Sequence, residues 1–253
     1  MRNIFDSHAH YNDEQFDIDR DSLLASLPEA GIVGIINCGT DVASSQESLK
    51  MAEKYPFIYA ACGYHPESAL EFTDDNLLEI ENMLSHEKCV AVGEIGLEYH
   101  YDFVPKDVQK HVFEKHLELA VKYDMPVIVH DREAHADTME LLKKYKPKGV
   151  LHCYSGSAEM AKEIIKLGMY IGLGGAVTFK NAVKAVEVAA MLPLDRLLLE
   201  TDCPYMAPVP MRGKRNNSAY IEFVAEKIAE IRNMSAQEIL DITAENTKRL
   251  FDI

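Results

Sequence analysis

The stretch IFDSHAHY, residues 4–11, is short and partly apolar, as expected of a strand. An acidic, polar stretch follows it. The segment DRDSLLASLPEAG, residues 19–31, then carries apolar residues at helical spacing and ends in glycine, a common helix stop signal. These three pieces predict a strand, a loop and a helix, and the rest of the chain repeats that unit.

Seven further apolar runs rich in β-branched residues alternate with amphipathic stretches. The runs are GIVGIINCG (31–39), FIYAACGYHP (57–66), CVAVGEIGLE (89–98), MPVIVHDRE (125–133), GVLHCYSG (149–156), MYIGLGGAV (169–177) and RLLLETDCPY (196–205). Stretches between them, such as DVQKHVFEKHLELAVKYD (107–124), are long enough for three or more helical turns. Apolar strands joined by helices are typical of a parallel sheet covered on its outer face, and eight such units favour closure. The sequence therefore predicts a (β/α)₈ TIM barrel.

No linker or second domain interrupts this alternation, so we predict that residues 1–253 form a single TIM-barrel domain. After the eighth run, helical patterns cover residues 218–233 and 235–251, and the second of these is predicted to be an additional C-terminal helix. A doubly wound open sheet is the structural alternative.

Composition restricts the kinds of partner. The formal net charge is −15, so the surface as a whole repels a polyanion, and a nucleic acid has to be bound locally. There is no apolar stretch of membrane-spanning length and no signal-peptide pattern, which predicts a cytoplasmic protein without a membrane partner. The five cysteines include no C-x-x-C pair, as expected of reduced thiols. No protein partner or oligomeric state can be inferred.

Ionisable residues recur near the predicted C-terminal ends of the strands, where the catalytic residues of TIM barrels collect. We place His8 and His10 at the end of strand one, His65 at the end of strand three, Glu94 in strand four, His130 at the end of strand five, His152 late in strand six and Asp202 at the end of strand eight. Side chains alternate across a strand, so His8 and His10 point to the same face. Inside a barrel, these two histidines can share one metal ion.

Four imidazoles and two carboxylates at one end of a barrel are enough for two divalent cations, provided that one carboxylate bridges them. Glu94 is the natural bridge, because its strand lies midway between the His8/His10 pair and the His130/His152 pair. We expect the two pairs to serve different ions. Glu94 and Asp202 are the predicted catalytic residues, and Asp202 would also orient or deprotonate the attacking water. The candidate metals are Zn, Mn, Ni, Co, Fe and Mg.

Arginine residues near these positions point to a phosphate group in the substrate. Arg132 lies two residues past His130, where its planar guanidinium can make a bidentate contact with phosphate oxygens. Arg212, Lys214 and Arg215 add a cationic loop. The alternative interpretation of these side chains is ordinary solvated surface charge.

Eight motifs occur in order along nearly the whole chain. They are DSHAH (6–10), GYHP (63–66), GEIGLEYH (93–100), PVIVHDRE (126–133), HCYSG (152–156), ETDCPYMAP (200–208), RGKRN (212–216) and NTKRLF (246–251). Together they resemble the TatD family of metal-dependent deoxyribonucleases, within the wider group of amidohydrolase-like barrels. The chain departs from the family pattern at Glu98-Tyr99, where Asp-Tyr is frequent, and at Tyr154, where Phe is frequent.

The resemblance implies roles for individual residues. By resemblance, the two-metal site consists of His8, His10, Glu94, His130, His152 and Asp202. The residues near the substrate phosphate are His65, Arg132 and the 212–216 loop, which includes Arg212, Arg215 and Asn216. The resemblance also implies a 3′ polarity of cleavage.

We therefore predict a metal-dependent deoxyribonuclease that trims single-stranded or frayed DNA ends from 3′ to 5′, with the DNA bound locally at the barrel mouth. One alternative is an amidohydrolase that opens a small cyclic amide or ester with the same two metals. Another is a barrel without activity that binds a partner or a nucleic acid. Neither an aromatic stacking stripe nor a broad basic surface is visible in the sequence, which disfavours binding to a long duplex.

Overall fold

A computed structural model describes residues 1–253 as eight parallel strands in the order of the chain. The strands are β1 (Ile4–Ala9), β2 (Ile32–Cys38), β3 (Ile58–Cys62), β4 (Cys89–Glu98), β5 (Val127–Arg132), β6 (Gly149–Leu151), β7 (Tyr170–Leu173) and β8 (Leu197–Leu199). Each strand pairs in parallel with the next. The predicted TIM barrel is confirmed.

Helices follow the strands in alternation. They are α1 (Arg20–Ser26), α2 (Val42–Lys54), α3 (Asp74–Met83), α4 (Lys106–Lys122), α5 (His135–Tyr145), α6 (Ala158–Lys166), α7 (Val183–Met191), α8 (Ile221–Arg232) and α9 (Ala236–Phe251). The last is the additional C-terminal helix that the sequence predicts. No helix combines the length and the apolar composition that crossing a membrane requires.

Helix α9 closes one end of the barrel. Leu250 and Phe251 from its last turn belong to the same buried cluster as Phe5, Val90 and Leu198, which lie in the barrel strands. Phe5 and Val90 stand near the beginning of their strands, so α9 covers the end where the strands start. The opposite end, where polar side chains follow the strands, is left open to a ligand.

The pairing of β4 with β5 depends on a glycine. Gly96 lies opposite His130 in the register of the two strands and has φ +145. A Cβ at this position would overlap the backbone carbonyl oxygen of His130. Glycine therefore permits the close approach that brings His130 beside Glu94.

The barrel closes between β1 and the segment after β8, where only one isolated bridge, Ala9 to Cys203, is formed. A buried carboxylate reinforces this seam. Asp6 accepts hydrogen bonds from the Thr201 backbone N–H at 3.0 Å, from the Thr201 hydroxyl at 2.6 Å and from the Ser218 hydroxyl at 2.7 Å. Asp6 thus joins the first strand to two segments from the end of the barrel.

Replacing Asp6 with alanine is expected to destabilise the protein by about 3 kcal/mol or more, because several buried donors lose their acceptor. For a chain of this size, that corresponds to a fall in Tm of roughly 6–12 °C, measurable by circular dichroism. Ser218→Ala removes one donor and leaves the other donors to Asp6 in place, so it should lower Tm less. A Tm for Asp6→Ala equal to that of the parent protein would show that the seam does not depend on this carboxylate.

Candidate metal centre

The predicted metal ligands converge at the open end of the barrel. His8 lies within β1, Glu94 within β4 and His130 within β5, as expected. His10 and His152 directly follow β1 and β6, while His65 and Asp202 lie three residues beyond the ends of β3 and β8. The prediction that these four residues lie within strands is therefore wrong. The backbone explains part of the difference, because Asp202 has φ +57, which a strand does not accommodate.

Glu94 occupies the centre of the cluster and presents its two oxygens to different histidines. Its Oε2 lies 3.3 Å from His8 Nε2 and 3.2 Å from His10 Nε2. Its Oε1 lies 2.9 Å from His130 Nδ1 and 2.8 Å from His152 Nε2. The carboxylate therefore faces both histidine pairs at once, which is the arrangement that a bridging ligand requires.

His8 in β1 and His10 directly after it direct their Nε2 atoms at each other. The Nε2 atoms of His8 and His10 are 2.9 Å apart. His10 Nδ1 donates to the backbone carbonyl of Cys38 at 3.0 Å, which leaves Nε2 as the nitrogen directed at the cluster. The Cys38 thiol lies 3.4 Å from His8 Nδ1. Imidazole rings held at Nδ1 with Nε2 directed into a common space are typical of metal ligands.

Asp202 lies beside the same pair and is the more open of the two predicted catalytic carboxylates. Its Oδ1 is 3.6 Å from His8 Nε2 and 3.5 Å from His10 Nε2. The Asp202 side chain is 19% exposed, whereas that of Glu94 is 3% exposed. Ligand atoms of His8, His152 and Asp202 also lie within 4.8 Å of one another. His152 thus contacts both halves of the cluster, rather than only the His130 side as the sequence predicts.

Electrostatics keeps both carboxylates ionised. Burial raises the pKa of Glu94, but the surrounding histidines, with His152 contributing most and a hydrogen bond with His10 adding to it, together outweigh burial and hold the pKa well below its ordinary value. Burial likewise raises the pKa of Asp202, and a hydrogen bond with His10 brings it below its ordinary value. Burial lowers the pKa of His8 to about 4, so this imidazole is neutral at neutral pH. Ionised carboxylates and a neutral imidazole are the forms that bind a divalent cation.

His65 reaches the cluster with a different orientation. Its Nε2 lies 3.5 Å from Glu94 Oε1, and its Nδ1 accepts the backbone N–H of Glu67 at 3.2 Å. Burial lowers the pKa of His65 to about 3, so the ring is neutral and carries its proton on Nε2. His65 therefore points a donor into the site, which suits contact with an anionic oxygen better than metal ligation.

Glu98 is a residue whose role the sequence left unassigned. It is buried, and its Oε2 lies 3.3 Å from His130 Nε2 and 3.7 Å from an Arg132 guanidinium nitrogen. A His130 ring that donates from Nε2 to Glu98 keeps the lone pair of Nδ1 for the cluster. Glu98 thus holds His130 in place and keeps Arg132 close to it.

These side chains line a cavity of about 590 Å³. Its walls include His10, His65, Glu94, Glu98, Tyr101, His130, Arg132, His152, Asp202 and Tyr205.

A model of the family described as TatD related DNase matches residues 5–252. The chain belongs to this family. The resemblance that the sequence motifs indicate is confirmed.

Relatives of known name cover almost the whole TatD-family chain. The YabD protein of Bacillus subtilis (strain 168), described as an uncharacterized metal-dependent hydrolase, is 46% identical over 99% of both chains. A protein of Citrobacter rodentium (strain ICC168) named 3′-5′ ssDNA/RNA exonuclease TatD is 32% identical and covers 99% of this chain, with 98% of its own length matched. The crystal structure of YjjV, a TatD homologue from Escherichia coli K12, has a TM-score of 0.93 at 34% identity, with coverage of 99% and 98%. The predicted class of metal-dependent hydrolase is confirmed.

The 212–216 loop of the TatD-family chain lies outside this cavity lining. Arg215 makes a bidentate pair with Asp19, with nitrogen to oxygen distances of 2.8 and 2.6 Å. Asn216 is buried and donates to the backbone carbonyls of Thr201 at 2.9 Å and Tyr205 at 2.7 Å. These partners occupy both side chains, so we revise the prediction of substrate contact to one of positioning the segment that carries Asp202.

Arg212 and Arg132 remain available to a ligand. Arg212 is exposed and lies over the Phe179 ring at 4.1 Å from its centroid, outside the cavity lining. Arg132 lines the cavity, and its side chain is 46% exposed. Of the arginines singled out in the sequence, Arg132 is thus the one that the structure places beside the TatD-family cluster.

Glu98→Gln is expected to weaken the binding of divalent cations in this TatD-family site by about 10–100-fold, because the amide no longer fixes His130 with a negative charge. Competition with a chromophoric chelator measures the affinity. Glu133→Gln is a suitable control, because Glu133 is exposed on the same rim and pairs with His100 outside the cluster. Equal affinities in the two variants would contradict the role given to Glu98.

Proposed function

We propose that this chain hydrolyses phosphodiester bonds at the 3′ ends of single-stranded or frayed DNA, using two divalent cations. The observation that carries the proposal is the placement of Glu94, whose two oxygens face separate histidine pairs within 3.3 Å. Imidazole nitrogens and carboxylate oxygens are the donors of zinc, manganese, nickel, cobalt and iron sites, so the residues present fit such cations.

The first cation would be held by His8 and His10 and the second by His130, with Glu94 between them and His152 within reach of both. Asp202 completes the set on the His8 side. Two cations in this cluster would act as Lewis acids that lower the pKa of the attacking water and stabilise negative charge on phosphate oxygens.

The side chains around the cluster have separate tasks. Asp202, the more open carboxylate, accepts the proton of the attacking water. Arg132 offers a planar pair of donors to the non-bridging phosphate oxygens, and His65 adds one donor from Nε2. Glu98 contacts both Arg132 and His130, and it thereby fixes the position of the phosphate-binding side chain relative to the metal-binding one.

Three observations support the preference for ends and single strands: the recessed site, the negative net charge and the similarity to a named exonuclease. The cluster lies in a recess of the barrel mouth, which a terminal nucleotide enters more easily than an internal phosphate of a stiff duplex. A net charge of −15 opposes binding of an extended duplex. A relative that is 32% identical is named a 3′-5′ ssDNA/RNA exonuclease, and this supports the polarity that we propose.

Hydrolysis of labelled nucleic acids by the metal-reconstituted protein tests this proposal. We expect mononucleotides to appear at once from a 3′-labelled single strand, whereas a 5′-labelled strand shortens step by step and a closed circular plasmid stays intact. RNA of the same sequence measures the selectivity for the sugar. Plasmid nicking without mononucleotide release would overturn the exonuclease. Inactivity on every nucleic acid, with hydrolysis of a cyclic amide or ester, would establish the amidohydrolase alternative.

A further inference from the structure

Exposed aromatic side chains lie in the loop that follows β4, at the rim of the cavity. The rings of Tyr101 and Phe103 are stacked, with centroids 5.5 Å apart and an angle of 26° between their planes. The Arg132 guanidinium lies 5.2 Å from the centroid of the Tyr101 ring. Three flat groups thus form a row that begins at the cavity and runs outward along the loop.

This row is open to solvent. Tyr101 is 43% exposed and Phe103 is 54% exposed, although aromatic rings of this size are usually more buried. Tyr101 lines the cavity together with Arg132, whereas Phe103 lies outside the lining. The rings therefore continue the path from the metal cluster to the surface, rather than filling a gap in the core.

We propose that Tyr101 and Phe103 form a stacking platform for unpaired nucleobases next to the cleaved phosphodiester. This inference rests on the proposed function. Arg132 binds the phosphate at the inner end of the row, and the bases of the adjoining nucleotides stack on the two rings farther out. Base stacking on aromatic side chains is independent of sequence and needs a base free of its partner strand.

The platform gives a physical reason for single-strand preference that charge alone does not supply. A base within a duplex is already stacked and paired, and it reaches the rings only at the cost of fraying. A base at an unpaired 3′ end reaches the rings without the breaking of base pairs. The sequence discloses no stacking stripe because the row is assembled from one loop and the end of a different strand, 31 positions apart at Tyr101 and Arg132.

The test compares a single-stranded DNA oligonucleotide with the same strand carrying an abasic residue at the second position from the 3′ end. For the metal-loaded parent protein, kcat/KM should fall by about tenfold or more when the base is missing. In the Tyr101→Ala/Phe103→Ala variant, kcat/KM on the intact strand should fall by a similar factor, and the ratio between the two strands should approach one. Tyr101→Phe keeps the ring and should keep the ratio.

Tyr123→Ala is the matched control, because Tyr123 is 46% exposed but lies outside the cavity lining. It should leave the ratio unchanged, and thermal unfolding checks that all variants are folded. A double variant that still discriminates like the parent protein would overturn the platform, while hydrolysis of the intact strand by the parent would leave the proposed function standing. Sedimentation of the parent protein and the double variant checks a second role. A dimeric parent and a monomeric double variant, with an unchanged ratio between the two strands, would identify the rings as a subunit contact and also overturn the proposal.

Discussion

The Glu94→Gln variant is expected to lose at least about three orders of magnitude in kcat and to bind fewer divalent cations per chain. The amide keeps the shape of the side chain, but it carries no charge and offers one oxygen in place of two. One histidine pair would then face an amide N–H₂ group, which cannot ligate a cation. The metal content after dialysis, measured by mass spectrometry, and the hydrolysis of a 3′-labelled strand give the two readouts.

The Glu94→Asp variant distinguishes the effect of the carboxylate charge from the effect of side-chain length. It retains the negative charge but withdraws the carboxylate by one methylene, so we expect partial metal binding and a smaller loss of rate. Glu118→Gln, on the exposed face of α4, is the control for a change of charge outside the site. Two ions bound to Glu94→Gln at nearly the parent rate would show that Glu94 is not the bridge.

Asp202→Asn is expected to lower kcat by about 10²–10⁴ while most of the bound metal is retained. The asparagine oxygen can still approach a cation, but the neutral amide does not accept a proton from the attacking water. The separation of metal content from rate distinguishes this variant from Glu94→Gln. Single-turnover hydrolysis with metal analysis of the same sample measures both quantities.

The response to Asp202→Asn also tests how the work is divided between the two carboxylates. Loss of metal in proportion to loss of rate would make Asp202 mainly a ligand and contradict its role as the proton acceptor. A KM close to that of the parent is expected, because the phosphate contacts that we propose for Arg132 and His65 do not involve Asp202.

The barrel could be predicted from the sequence because its strands are buried on both faces and therefore appear as continuous apolar runs. The ends of the strands could not be predicted equally well. Strand β8 stops at Leu199, whereas the apolar pattern extends the prediction to Asp202. The reason is tertiary, because the Thr201 backbone N–H donates to the carboxylate of Asp6, 195 residues earlier, rather than to a neighbouring strand.

The core of the site could be predicted because side-chain alternation and strand position together determine where a histidine points. That logic brings His8, His10, Glu94 and His130 to one place. It fails for side chains whose partners are distant in sequence. The role of Arg215 depends on Asp19, 196 residues away, and a cationic motif alone does not reveal that its charge is already paired.

The seam between β1 and the segment after β8 determines when, during synthesis and folding, the proposed metal ligands come together. His8 and His10 are among the first residues to be synthesised, and Asp202 comes after all eight strands. A chain that has not yet placed its eighth strand lacks Asp202 beside His8 and His10, so the ligand set that we propose is incomplete until the last strand is in place. If His8, His10 and Asp202 share a cation as we propose, its binding would hold the two edges of the barrel together and stabilise the folded protein by mass action.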